Sequence, residues 1–165
     1  MDNNYYLNLF QKTADQLDKK LPGKKQIEVA TGIVLESVFL KLYKIKWANP
    51  SPNPLTSPSR IFFSVWINDK TIGESKIFYN IHALRLRQLK AYSITSRQFA
   101  TDFRKKFKPV QKEWPNVSVD FGPLTLMEGW VKLNEATIQK DILKLAKQFL
   151  EMEYMIDELM EKNKK

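Results

Sequence analysis

The chain has 165 residues, of which 43% are apolar and 27% charged, with no cysteine and a net charge of +9. That is the size and composition of one folded domain that needs no disulfide or metal to bury its core. Thiol catalysis and thiolate metal sites are excluded, and no apolar run approaches the roughly 18 residues that would span a bilayer.

The opening MDNNYYLNLF lacks the basic and apolar regions of a secretory leader, so a cytoplasmic protein without a membrane partner is expected. Residues 4–21 read as a helix, with Leu7, Phe10, Ala14, Leu17 and Leu21 on one face and Pro22-Gly23 as its stop. Ile27 to Trp47 is rich in β-branched residues, and Tyr43, Ile45 and Trp47 alternate with lysines. It reads as one long bent strand or two short ones, breaking at Gly32 or at the Glu36-Ser37 step. Residues 48–59 form a Pro/Ser-rich loop. Ile61 to Ile67 is a strand, Asn68-Asp69-Lys70 a turn, and Ile72 to Ile81 the returning strand. His82 to Leu89 fits a continued strand better than a helix, because Leu84 and Leu86 alternate with Arg85 and Arg87.

Thr95 or Ser96 caps a helix that runs to about Phe107, where Pro109 ends it or starts a separate turn. Val117 to Phe121 and Leu124 to Leu133 are strands around a Gly122-Pro123 turn. Asn134 caps a last helix whose apolar residues, Ile138, Ile142, Leu145, Phe149, Met152, Ile156 and Leu159, recur at alternating spacings of 4 and 3. Residues 161–165 are expected to fray. The expected architecture is a single α+β domain, 1–165. It is an antiparallel sheet of about five or six strands with an N-terminal helix, a basic middle helix and a long C-terminal helix. Its core draws on Leu7, Phe10, Leu17, Phe62, Val65, Phe99, Phe103, Ile142, Leu145 and Phe149.

Charge is uneven along the chain. Residues 81–112 hold nine basic residues against Asp102 alone. On a helix over 96–108, Phe99, Ala100, Phe103 and Phe107 share an arc, with Arg97, Arg104 and Lys108 opposite. Arg85, Arg87, Lys90, Lys105 and Lys112 extend this cationic surface, which suits nucleic acid or another polyanion because phosphates attract such a face whatever their sequence. Beside the main stripe of the last helix, Leu143, Leu150 and Tyr154 form a second apolar line, suited to a homodimer or a protein partner.

With a continuous first strand, the order of elements resembles the type III secretion chaperone fold, which implies a dimeric, protein-binding adaptor. It resembles more loosely the core of PD-(D/E)xK nucleases, which implies metal-dependent cleavage through Glu74-Ser75-Lys76, with Asp69, Glu28 or Glu36 as further carboxylates. His82, the single histidine, is read as structural or as part of the anion surface. Among the tryptophans (Trp47, Trp66, Trp114 and Trp130), Trp114 is the one placed in a loop beside the basic helix. The five dispersed glycines build no phosphate-cradling loop, so no cofactor is implied. The reading is a non-enzymatic binding module for nucleic acid or another polyanion, ahead of an adaptor and of a nuclease.

Overall fold

The computed structural model describes residues 1–20 and 26–165, with side chains for all of these except 18–20. Helix α1 spans Asn3–Lys20 and buries Phe10, Ala14 and Leu17, with Tyr6 and Thr13 on the same arc and Leu7 half-buried. Leu21 and the Pro22-Gly23 stop lie outside the described residues.

The stretch after it is two strands. β1 (Glu28–Val34) and β2 (Ser37–Tyr43) form a hairpin closed by the Val34–Ser37 pair. Leu35 and Glu36 make the turn with φ of 47° and 65°, the left-handed pair a two-residue hairpin needs. The break therefore falls beside the Glu36-Ser37 step and not at Gly32. Gly32 sits mid-strand with the Phe39 ring laid across it, so a Cβ there would come within 2.9 Å of that ring. β2 ends at Tyr43, and a short 3-10 turn, Ile45–Trp47, drives Trp47 into the core. The Tyr43, Ile45, Trp47 alternation is not strand.

β3 is Arg60–Ile67. The expected turn after it is a one-turn helix, α2 (Asp69–Gly73), which absorbs Ile72. A capping box forms it: Asn68 Oδ1 accepts from the Thr71 amide and Thr71 Oγ1 accepts from the Asn68 amide, each at 2.9 Å. β4 is Lys76–Leu84. Strand alternation stops there, because Arg85 turns left-handed at φ 49° and a 3-10 turn, Leu86–Gln88, buries Leu86.

α3 is Ser96–Phe107, with Thr95 at its N-cap, and Pro109 opens a 3-10 stretch, Lys108–Glu113. Val117 to Phe121 is not a strand. It makes one bridge, Ser118 to Glu128, and curls at Phe121, whose amide donates to the Val119 carbonyl. β5 is Thr125–Lys132. Asn134 caps the turn before the last helix, accepting from the Ala136 amide at 3.0 Å. The helix itself starts at Ile138. It comes as α4 (Ile138–Met152) and α5 (Tyr154–Lys162), bent at Glu153, where the ladder passes to an i→i+3 bond from the Ile156 amide. Its whole apolar stripe is buried. The tail is tied down: the Ser93 amide donates to the Asn163 carbonyl at 2.8 Å and the Lys165 amide to the Ala91 carbonyl at 3.1 Å.

The sheet runs β1-β2-β3-β4-β5, antiparallel throughout. This is an α+β fold with N-terminal, middle and long, bent C-terminal helices. Alternate residues of the strands join one core: Val38, Leu40 and Leu42; Phe63, Val65 and Ile67; Ile77, Tyr79 and Ile81. α4 packs on this face, its Phe149 ring stacked on Phe63 at 4.5 Å, and α1 packs on α4, β1 and β2. α3 packs on α5. Phe62, expected in the core, is buried but belongs to the opposite face of β3. Among the described residues, no helix is long and apolar enough to cross a membrane.

Candidate binding site on the second face of the sheet

The strand residues that do not join the core fall into rows that cross the sheet. One row is aromatic: Phe39 pairs with Trp66, Trp66 with Phe78, and Phe78 with Trp130. Trp66 and Phe78 stack at 5.2 Å, and the Lys76 ammonium lies 4.4 Å from the Trp130 ring centre. The next row is polar: Lys41 pairs with Ser64, Ser64 with Asn80, and Asn80 with Glu128. A third row sets Phe62 against His82 and His82 against Thr125, across a bulge in the β4–β5 pairing. Most of these side chains, with Arg60, line a concavity of about 380 Å³ whose rim includes Val34 and Leu35 of the first hairpin.

The polar row is buried to an unusual degree for a sheet face. Lys41 is 9% exposed and Asn80 2%. A buried ammonium normally has a carboxylate beside it, because removing the charge from water is costly. Lys41 has none: among the described residues its recorded contacts are the faces of Phe39 and Phe62, at 4.4 and 4.5 Å from the ring centres. Burial, with the Arg60 cation beside it, pulls its pKa down to about 8.

Arg60 joins the same cluster, 5.2 Å from the Phe62 ring centre. Its Nη1 donates to the Ser57 carbonyl, while its buried Nε has no partner. The Pro/Ser loop positions it. Ser59 Oγ donates to the Arg85 carbonyl at 2.9 Å, Ser57 Oγ to the Ser59 carbonyl at 3.1 Å, and both serines are buried. Asn80 Nδ2 donates to Glu128 Oε1 at 3.1 Å, leaving the buried Asn80 Oδ1 without a donor. His82 lies against Phe62, with Nδ1 3.3 Å from Thr125 Oγ1 and 3.4 Å from the Leu124 carbonyl oxygen. Burial holds its pKa below the ordinary histidine value, Lys41 and Arg60 acting the same way, against the Leu124 carbonyl and Glu128. It is neutral at pH 7. The face thus presents two cations around one aromatic ring, an unused amide acceptor and a carboxylate, in a hollow of small-molecule size.

The residues expected to bind nucleic acid are not gathered in this way. Arg85, Arg87, Lys90, Arg97, Lys105, Lys108 and Lys112 are exposed, and the phenylalanines of α3 are buried beneath them as the periodicity required. Lys108 and Lys112 share a shallow hollow beside Trp114, whereas Lys90 lines a different one. Arg104 is turned inward. Its Nε donates to the Leu126 carbonyl at 3.2 Å, and its Nη2 faces those of Phe121, Gly122 and Thr125 at 2.9–3.1 Å. It pins the turn before β5. Trp114 is 3% exposed and packs against Phe63, Tyr79 and Phe107, so it offers no stacking surface.

On the C-terminal helix, Leu143 and Leu150 are half-buried against the core, and Tyr154 alone of that line stands out, 51% exposed. Asp69 pairs with the Met1 amino group and Glu74 ends α2. Among the described residues, no group of three or more His, Asp or Glu is placed to hold a metal.

Sequence reasoning missed Lys41, Arg60, Ser64, Asn80 and Glu128. The available signal is the second set of alternate positions in RIFFSVWI and KIFYNIHAL, which mixes aromatic with polar residues where an ordinary exposed face is polar alone. No protein-family model matches the chain, and neither a curated protein nor a solved structure matches it.

Proposed function

We propose that this protein is a binding module that takes an anionic ligand on the second face of its sheet, with Lys41 and Arg60 as the anchors. The observation that carries this is the Lys41 ammonium, 9% exposed and without an acid among the described residues. Such a charge is a standing cost in the free protein, and an anion arriving in the hollow removes it. The unpartnered Arg60 Nε adds a second donor to the same anion.

The test is calorimetric titration with inorganic phosphate, sulfate and small carboxylates, on the native chain and on Lys41→Met. Saturable binding that the substitution abolishes supports the reading. Equal binding by both proteins, or none by either at millimolar anion, retires it.

A second reading rests on a separate observation. Arg97, Lys105, Lys108 and Lys112 are exposed on α3 and the turn that follows it, and a cationic surface of this kind takes nucleic acid with a steep salt dependence. Anisotropy of labelled single and double strands across a salt series tests it. Affinity that is flat with salt, or unchanged in Arg97→Ala/Lys108→Ala, rules it out.

A further inference from the structure

The row that ends in Lys41 does more than supply a cation. Reading across the strands from β2 to β5, it offers an ammonium, a hydroxyl, an amide and a carboxylate. Strands are about 4.8 Å apart, so Lys41 and Asn80 stand about 10 Å apart along it. The two ends ask for opposite things. The Lys41 end, with Arg60, has donors that lack acceptors. The Asn80 end has an acceptor that lacks a donor, and Glu128 beside it has its Oε2 free of any recorded bond. Between them and alongside runs the aromatic row, with Phe39 and Trp66 contributing to the hollow.

A ligand that satisfies all of this carries an anion at one end, hydrogen-bond donors about two strand spacings away, and a flat ring between. Inorganic anions and short carboxylates meet only the first demand. Two cations balance one phosphate monoester dianion, and among the described residues no third lysine or arginine lines the hollow to meet a longer phosphate chain. A hollow of about 380 Å³ is at the small end of the range for small-molecule sites, roughly 300–1,000 Å³.

We propose that the ligand is a nucleoside monophosphate, its phosphate on Lys41 and Arg60 and its amino-bearing base edge on Asn80 Oδ1 and Glu128. This rests on the anion reading of the same face. The base lies along Trp66, which supplies area without sequence preference. Preference comes from the acceptor pair. Amino groups of adenine, guanine or cytosine donate to it, whereas uracil sets two carbonyls around its one N–H and leaves acceptors facing acceptors.

The experiment is a binding panel on the full chain at pH 7: inorganic phosphate, ribose 5-phosphate, AMP, GMP, CMP, UMP and a labelled single-stranded oligonucleotide. It is run on the native protein, Lys41→Met and Asn80→Leu, each checked for native circular dichroism. The expected result is that AMP, GMP or CMP binds about tenfold or more tighter than ribose 5-phosphate and UMP. Asn80→Leu should reduce that preference to near unity while keeping phosphate binding, and Lys41→Met should weaken every ligand about tenfold or more. If ribose 5-phosphate binds as tightly as the nucleotides, the nucleotide proposal falls and the anion site stands. If the strand binds and no mononucleotide does, the ligand is a strand and the proposal falls. If nothing in the panel binds, both fall.

Discussion

Lys41 and Lys44 stand three residues apart at the end of one strand, both are buried, and the fold treats them in opposite ways. Lys44 is 6% exposed. Its ammonium hydrogen-bonds to Asp157 and forms an ion pair with Glu153 Oε2 at 2.7 Å, while Trp47 Nε1 donates to the other Asp157 oxygen at 2.9 Å. Burial alone would lower its pKa, but Asp157 and Glu153 outweigh that and raise it. Lys41 has burial without the acids, and its pKa falls to about 8. The first arrangement locks the bend of the C-terminal helix to the end of β2. The second leaves a charge that meets two aromatic faces and no carboxylate among the described residues, the observation on which the proposed anion site rests.

The sharpest way to break the comparison is to remove each cation. Lys44→Met leaves the buried Glu153 without its cation, while Asp157 keeps Trp47 Nε1 and the Lys46 ammonium at 3.3 Å, and is expected to cost about 3–5 kcal/mol by urea denaturation. Lys41→Met is expected to have the opposite sign. The difference between 10.5 and about 8 corresponds to about 3 kcal/mol at roughly 1.4 kcal/mol per unit, so the substitution should stabilise by about 1–3 kcal/mol at pH 7. A loss of stability in Lys41→Met would mean that the lysine has a partner and that the site reading is wrong.

Proton linkage sharpens the same contrast. Lys41 binds its proton less tightly folded than unfolded, so its penalty is complete below pH 8 and relieved between pH 8 and 10.5. Of the groups facing it, Arg60 keeps its charge, and His82, held below its ordinary value by burial, is already neutral across that window. The native chain should therefore gain up to about 3 kcal/mol relative to Lys41→Met as pH rises from 8 to 10.5. Lys44 works in reverse: its contribution is complete below 10.5 and lost as pH passes its raised folded value. Parallel stability–pH curves for the native chain and Lys41→Met would contradict the assignment.

The arginines of the basic segment give smaller versions of the same pair. Arg104→Met removes the clamp on the carbonyls before β5, and a loss of about 2 kcal/mol is expected, with faster amide exchange over residues 121–126. Arg97→Ala, on an exposed position of the same helix, should change stability by less than about 0.5 kcal/mol.

Most of the fold was legible because it rests on periodicity. The stripe from Ile138 to Leu159 and the arc of Phe99, Phe103 and Phe107 are buried as their spacing required. The failures share one cause: local hydrogen bonds overrode pattern. Asn68 and Thr71 close a capping box that takes Ile72 out of the strand, and Ser93 and Ala91 catch a tail that composition marked as free. The site was not legible for a different reason. Phe62 and Val65 look alike in sequence, yet the register sends one to each face. What makes Lys41 unusual is a missing partner, and no stretch of sequence displays a missing partner. Arg104 shows the converse, since it lies on the cationic side of the helical wheel and is consumed by the backbone carbonyls of a turn seventeen or more residues away.

On the proposed anion site, the depressed pKa of Lys41 makes ligand capture a proton-uptake reaction. Near pH 8 the free protein carries about half a proton on this side chain, and an anion seated against it draws in about the other half. The heat measured on binding then depends on which buffer gives up that proton, and the affinity falls as pH rises through 8. The proposed site would hold a phosphate most firmly near neutral pH, where the monoester is still largely a dianion and Lys41 still charged, and release it as the surroundings turn alkaline, with no moving part beyond a single ammonium group.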